Sequence, residues 1–370
     1  YTGEDTLSLH DALPISIAGV PLAQLRFARA LASKGYDVDL MIGHIDPEFQ
    51  FPDISGITVL NLNRRKVRGM FFPLVQYFYS AKPDVVFSAE DHLNTVVQLA
   101  AIFSRSKAKI SGSSRVTPFD TYSNVPFTKR WFLKHITRAV MWRADVLTCV
   151  SRDMVEQYRK VFVSPPHVCV YNIVDDKLSR LRMNEAVDHE WLLRKDSPVL
   201  VAAGRLAPWK GFDDLIRAMS VVSQRRQARL LILGDGPLRS ELEALIFELN
   251  LSDVVSLLGY VENPLKYFVH ADVFVLSSHV EGLPNVLVEA MMCGCTPVST
   301  DCPTGPREVL QGEKYGYLVP MSDPVAMAAG IEKALDKPIS KERLAEAVRP
   351  FEEGEIIEKH FKVLGLTKWR

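Results

Sequence analysis

No stretch of about 18 consecutive uncharged apolar residues occurs in the 370-residue chain, so a membrane-spanning helix is not expected and the protein reads as soluble or peripheral. Net charge is lacking as well: 44 basic and 44 acidic side chains leave no basic excess of the kind that grips phosphate backbones, so nucleic acid is not an expected partner. Cysteine is scarce and odd in number, at five. Small secreted domains stapled by disulfides look different, and a reducing cytoplasm is the expected compartment. Cys293, Cys295 and Cys302 cluster in sequence, yet no paired Cys-x-x-Cys and no nearby histidine completes four metal ligands. The cysteines are read as buried small hydrophobes. Low-complexity segments and short repeats are missing too.

What is present is an ordinary globular composition, 47% hydrophobic and 24% charged. The chain is too long for one core, since single cores stop growing at about 250 to 300 residues, so two domains are expected. Residues 1–16, YTGEDTLSLHDALPIS, show neither strand alternation nor helix periodicity and resemble translated adapter sequence; they are read as a non-native leader and set aside. From Val20, PLAQLRFARALASKGYDVDLMIG reads as an amphipathic helix stopped at Lys34-Gly35, then a strand at 37–42. Strands at 57–62, 83–88, 109–112 and 146–150 alternate with helical stretches, as in a parallel sheet with crossover helices. Residues 17–176 are therefore Rossmann-like. Their opening strand and glycine-rich turn belong just before Val20, where Ala18-Gly19 stands, so the chain as written is expected to lack strand one.

A second alternating run, PVLVAAGR, ARLLILGDG, VVSLLGY, ADVFVLSS and CTPVST, predicts a second Rossmann-like domain over 177–350. A last helix at 351–364, set off by Pro338 and Pro350, is expected to carry residues 351–370 back onto the first domain. Residues 17–176 hold 20 basic and 14 acidic side chains and residues 177–370 hold 24 and 27, so only the first half leans basic.

In open parallel sheets ligands sit beyond the carboxyl ends of the strands, where amides and helix N-termini face anions. Four segments of the second half fall at such ends. Gly204-Arg205 follows PVLVAA, and Lys210-Gly211 precedes a helix; an Arg fork and a Lys point charge at one strand end suit a diphosphate, with a solvated basic turn as the plain alternative. Gly234-Asp235-Gly236-Pro237 after LLILG allows a tight turn and close ligand approach, or is an ordinary strand-to-helix turn. Gly259-Tyr260-Val261 either offers main-chain groups to the edge of a base, at Val261, or is a connector.

The fourth segment says most: EGLPNVLVE, from Glu281 to Glu289, running into AMMCG. Pro284 suits the first helical position and Gly294 the position just past the end, predicting a helix at 284–292. Glu281 then lies in the loop before it, with the Gly282 and Leu283 amides at the positive end of the dipole. Glu289 sits two turns in among apolar neighbours, where a carboxylate needs a partner. The alternative is a Glu289 that only pairs with an arginine or caps a neighbouring loop.

These segments, in this order, resemble glycosyltransferase family 4, of GT-B fold, over roughly residues 17–365. STDCPTGPREVL further resembles a bacterial branch that builds capsule, lipopolysaccharide or other surface glycans from UDP-hexose or UDP-N-acetylhexosamine donors. The resemblance implies an α/β protein of two Rossmann-like domains facing across a cleft, with a nucleotide diphosphate sugar on the second and a glycan or lipid-linked acceptor on the first. It implies retention of anomeric configuration with no cofactor and no metal, charge stabilisation falling to Arg, Lys and a helix N-terminus. Residue by residue, it assigns Arg205 and Lys210 to the donor diphosphate, beside Gly204. Glu289 is assigned to the ribose hydroxyls, Glu281 to the sugar hydroxyls beside the reacting carbon, and Gly282 and Leu283 to the phosphate.

The first half departs from the family. Only Gly19 can stand for its glycine-rich first loop. Where many members carry a histidine after the fourth strand this chain has SGSSR, so Ser113, Ser114 or Arg115 would fill that role, while His92, on an earlier strand end, is read as a local histidine. Three rivals stay open: a nucleotide-sugar epimerase, a phosphorylase of the same fold, and a non-catalytic sugar-nucleotide-binding subunit, against which the intact Glu281 argues. Arg64, Arg65, Lys66 and Arg68 precede Met70-Phe71-Phe72-Pro73-Leu74, a basic run beside apolar residues that either meets the cytoplasmic face of a membrane or is a solvated turn before a core helix.

Overall fold

The computed structural model describes residues 20–45 and 54–366. The residue 1–16 leader, Gly19 and the strand expected before Val20 lie outside the described residues. The chain divides into two compact units, residues 1–173 with 353–370, and residues 174–352. The first unit stops at Ile173 rather than at 176, because the Val174 and Asp175 amides donate to Phe351 O at 3.0 and 3.2 Å, near the end of the second unit.

In the first unit α1 (Val20–Ser33) buries Leu25 and Ala28 against the parallel pair β1 (Val38–Ile42) and β2 (Ile57–Asn61). Next come α2 (Phe71–Ser80), β3 (Val85–Ala89), α3 (Asp91–Phe103), β4 (Lys109–Ser114) and α4 (Pro118–Thr121). They are followed by α5 (Lys129–Val140), β5 (Val146–Cys149), α6 (Arg152–Val161) and β6 (His167–Cys169). Strands β3, β4, β5 and β6 form a parallel sheet in that order. A cavity of about 970 Å³ lies between β1 and β3, lined also by α1 and α2. Of the basic-apolar run, Met70 and Leu74 are buried with Phe78, Val97 and Ile110, whereas Phe72 is exposed.

The second unit contains α7 (Lys177–Arg182), α8 (Glu190–Arg194), β7 (Val199–Ala203), α9 (Phe212–Arg225), β8 (Arg229–Leu233), α10 (Arg239–Glu248) and β9 (Val255–Gly259). It continues with α11 (Leu265–Phe268), β10 (Val273–Leu276), α12 (Asn285–Met292), β11 (Thr296–Thr300), α13 (Pro306–Val309), β12 (Tyr317–Val319), α14 (Pro324–Asp336) and α15 (Lys341–Val348). Six parallel strands run in the order β12-β11-β10-β7-β8-β9. The central strands are buried along their length, which is why they read as unbroken apolar runs rather than as alternation. Helices α9 and α14 cover one face, placing Leu215, Met219, Met327 and Ile331 against Leu200, Ile232, Val275 and Val298. The order reverses between β7 and β10, a topological switch point whose carboxyl side forms the ligand crevice of open α/β sheets.

The last helix, α16 (Glu353–Val363), belongs to the first unit, where Lys109 Nζ donates to Leu364 O at 2.5 Å and the His360 ring lies 4.8 Å from Phe27. It starts at Glu353 rather than 351 because Arg349–Phe351 form a 3-10 turn.

Candidate active site

Two loops leave the switch point, one after β7 and one after β10. The first winds into a 3-10 turn, Pro208–Lys210, closed by Gly211 with φ 58°. A Cβ there would overlap the Ser277 carbonyl oxygen and stand 2.9 Å from His279 Nε2, so glycine is what lets the two loops touch. Ser277 Oγ donates to Lys210 O at 2.8 Å and His279 N donates to Trp209 O at 2.8 Å, while His279 Nε2 lies 2.9 Å from Asp214 Oδ2 on α9. Held from these sides, Lys210 Nζ donates to Glu281 Oε1 at 2.6 Å, with only 18% and 11% of the two side chains exposed.

The glycines of the LGDGP turn serve this loop. A Cβ on Gly234 would overlap Gly204 O, and one on Gly236 would stand 2.5 Å from Leu206 O. Leu206 N donates to Asp235 O at 3.0 Å, and Gly234 N donates to Gly259 O at 2.7 Å. The turn is thus a brace of backbone against backbone under Gly204-Arg205. Arg205 itself is exposed, and no hydrogen bond or ion pair among the described residues holds it. Val261 is half-buried in the connector after β9.

The second loop is braced by the CPTGP segment. Thr304 Oγ1 donates to the Glu281 carbonyl, and a Cβ on Gly305, at φ 90°, would stand 2.5 Å from Pro284 Cδ. Helix α12 begins at Asn285, because Pro284, with ψ 82°, is the cap rather than the first turn. Gly282 and Leu283 precede its amino end, and Gly294 follows its last turn with φ 92°. Glu289 is 8% exposed on α12, one turn before Cys293, whose thiol is pushed up by burial first and by the Glu289 charge second.

The structure therefore gathers Lys210, Glu281, Gly282 and Leu283 at the switch point, with the Lys210 stem beside Gly204. No contact among the described residues draws the side chains of Arg205 or Val261 to that group. Ser277, His279, Asp214 and Thr304 were not marked by the sequence reading, although the polar run SSHVEG between an apolar strand and EGLP was an available signal.

At the carboxyl end of the first unit's sheet, Ser114 Oγ donates to Asp91 Oδ1 at 2.8 Å, and Tyr158 Oη donates to Asp91 Oδ2. Ser114 is thus engaged by Asp91, whose carboxyl burial pushes up to about 6 against these two hydrogen bonds. The Ser113 carbonyl takes the Glu90 amide and the Asn94 side-chain amide at 2.9 and 3.0 Å. Of the residues offered for the histidine's place, Arg115 keeps Nε and Nη1 buried without a partner, and burial lowers it to about 10 against the pull of Glu90. His92 lies in the first turn of α3 rather than on the strand end.

Cys149, Cys293, Cys295 and Cys302 are buried and Cys169 is half-buried. Among the described residues no group of three or more His, Cys, Asp or Glu is arranged to hold a metal ion. Asp37 precedes β1 and Asp39 lies at its amino end, where Tyr77 Oη donates to Asp39 Oδ2 at 2.8 Å.

Fold and site define a two-unit α/β protein whose second unit has a topological switch point between β7 and β10. Residues 18–172 match the family described as glycosyl transferase 4-like domain, and residues 184–350 match glycosyl transferases group 1. An uncharacterized glycosyltransferase of Methanocaldococcus jannaschii is 33% identical over 264 residues, 66% of this chain and 62% of that protein. The N-acetylgalactosamine-N,N'-diacetylbacillosaminyl-diphospho-undecaprenol 4-alpha-N-acetylgalactosaminyltransferase of Campylobacter jejuni is 31% identical over 255 residues, 68% of this chain and 67% of that protein. Among solved structures, Anabaena HepE in complex with UDP superposes with a TM-score of 0.73 at 18% identity, covering 95% of this chain and 97% of that one. Sucrose-phosphate synthase from Thermosynechococcus elongatus gives 0.72 at 20% identity, covering 96% and 95%. The chain belongs to glycosyltransferase family 4 and has the GT-B fold.

Proposed function

We propose that the chain is a retaining, cytoplasmic glycosyltransferase that moves a hexose or N-acetylhexosamine from a UDP-sugar to a glycan or lipid-linked acceptor in bacterial surface polysaccharide synthesis. The observation that carries this reading is the Lys210–Glu281 pair at the switch point between β7 and β10. There Lys210 and the unpaired Arg205 meet the diphosphate, joined by the Gly282 and Leu283 amides. Glu281 takes the sugar hydroxyls, Glu289 the ribose hydroxyls, and the connector at Val261 the base. In the transfer the bond from the anomeric carbon to the β-phosphate oxygen breaks, and its electron pair stays on the diphosphate, where the cations stabilise it. The acceptor oxygen bonds the anomeric carbon, and its proton passes to the leaving phosphate oxygen. The reading gives charge stabilisation to these residues and calls for no resident cofactor or metal.

The UDP held by the Anabaena structure supports the donor, and the diphospho-undecaprenol in the name of the Campylobacter relative supports a lipid-linked acceptor. A lipopolysaccharide core biosynthesis glycosyltransferase of Rhizobium meliloti, 37% identical over 150 residues, 40% of this chain and 43% of that protein, supports the surface-glycan setting. The test is a panel of UDP- and GDP-sugars with lipid-diphosphate and oligosaccharide acceptors, followed by nucleotide release and by NMR of the product's anomeric configuration. Acceptor-dependent UDP release with retention is expected. UDP binding with no release from any donor would instead indicate a non-catalytic subunit.

A further inference from the structure

Helix α5 turns aromatic and aliphatic side chains away from the core. Thr128 caps it by accepting from Trp131 N at 3.1 Å, and its inward face includes Thr137, whose hydroxyl meets Thr95 of α3 at 2.8 Å. Phe132 and Ile136, one turn apart, are 48% and 46% exposed. The loop before the helix leaves Phe127 82% exposed, and the turn after it leaves Trp142 65% exposed. Phe127, Trp131 and Phe132 form a chain of ring contacts, with centroids 5.8 and 5.0 Å apart. Contiguous exposed apolar patches rimmed by polar residues mark protein or membrane interaction sites.

The same segment is strongly one-signed. Between Asp120 and Asp145 no acidic residue occurs, while Lys129, Arg130, Lys134, Arg138 and Arg143 all do. Arg130 donates to the carbonyls of Phe119 and Tyr122, and Lys134 donates to Asn124 Oδ1 at 2.6 Å, so the apolar loop is tied to the helix. Lys129 and Arg138 are exposed among the rings.

We propose that residues 125–142 form a docking surface for an anionic lipid bilayer, the rings entering the headgroup boundary and the basic side chains lying at the level of the lipid phosphates. Interfacial helices combine these two features, and each basic side chain near an anionic leaflet adds to the attraction. A second copy of the chain fits worse, because pairing this face with itself would set two wholly basic segments against each other. The run at 64–74 exposes its basic residues with one large apolar side chain, Phe72, its Met70 and Leu74 being buried, so it offers no comparable group of rings. The surface stands independently of the donor site. Only one consequence rests on the proposed function: the segment follows the carboxyl end of β4, so docking would bring the ligand end of that sheet toward lipid-borne acceptors.

The test is co-sedimentation of the whole chain with phosphatidylcholine vesicles, with and without phosphatidylglycerol, at low and high salt. The expected result is binding that needs phosphatidylglycerol and weakens with salt. The double variants Phe127→Ser/Phe132→Ser and Lys129→Glu/Arg138→Glu should each lose at least about tenfold in partitioning, with melting temperature and UDP affinity unchanged. Wild-type protein that ignores anionic vesicles, or variants that bind them as wild type does, would overturn the proposal. So would a solution dimer that Phe127→Ser/Phe132→Ser converts to monomer, which would assign the face to a second copy. UDP titration of the same samples separates failure of the surface from failure of the donor site.

Discussion

Lys210 Nζ and Glu281 Oε1 meet at 2.6 Å although 71 positions separate them in the chain, because their loops leave the adjacent strands β7 and β10 respectively. Without donor, each charge satisfies the other in a site too enclosed for either to stand unpaired cheaply. A diphosphate would give Lys210 a more strongly charged partner and free Glu281 for hydroxyl donors.

This pairing distinguishes the two cations. Lys210→Ala and Arg205→Ala should each slow transfer by about 100- to 1000-fold, the usual loss when one donor to a developing charge is removed. Only Lys210→Ala should also destabilise, by about 1 to 3 kcal/mol, because it leaves Glu281 enclosed without its partner. Steady-state kinetics and thermal melts check both halves; identical melts for the two variants would show that the pair contributes nothing to stability.

The two glutamates should separate by ligand. Glu289→Gln is expected to weaken binding of bare UDP, whereas Glu281→Gln should bind UDP nearly as wild type and lose sugar transfer. Calorimetric titration decides, and equal loss of UDP affinity in both would reject the division.

Gly211 and Gly234 are predicted to tolerate no side chain. At Gly211 the left-handed φ of 58° adds strain to the overlap with Ser277, and at Gly234 the added carbon meets Gly204. Alanine at either position should lower stability by about 1 to 3 kcal/mol or more, read as a shift of the urea midpoint, and should weaken UDP binding with it. His279→Ala, which keeps the backbone contact to Trp209 but loses Asp214, should reduce UDP affinity with a much smaller change in stability.

Asp91 sets a pH dependence in the first unit. Its carboxyl goes from an ordinary 3.8 to about 6 on folding, chiefly through burial. Between about 4 and 6 the unfolded chain ionises while the folded one stays protonated, so this residue makes stability fall as pH rises through that window, by about 3 kcal/mol in all. Unfolding of wild type and Asp91→Asn should therefore diverge with that sign between pH 4 and 6 and run parallel outside it. Parallel curves throughout would mean that Asp91 titrates normally.

The strands were legible in the sequence because central strands covered on both faces keep unbroken apolar runs, as PVLVAA and LLILG do. Glu281 was legible from a loop followed by a proline and a helix with a glycine past its end. What the sequence did not disclose depends on which strands become neighbours. The 211–277 and 234–204 backbone contacts and the His279–Asp214 approach all follow from strand order, which alternation does not encode. Asp91 escaped notice because its partners, Ser114 and Tyr158, lie on other elements. The helical pattern of KRWFLKHITRAV could not tell that Thr137 faces inward while Phe132 faces out.

Whether the second unit's switch point holds the nucleotide diphosphate is decided by titrating UDP into wild type and the Arg205→Ala/Lys210→Ala double variant. Saturable binding to wild type and at least about hundredfold weaker binding to the variant are expected, from the loss of two charge-assisted contacts. Equal affinity in the two proteins, with both correctly folded, would contradict diphosphate binding there.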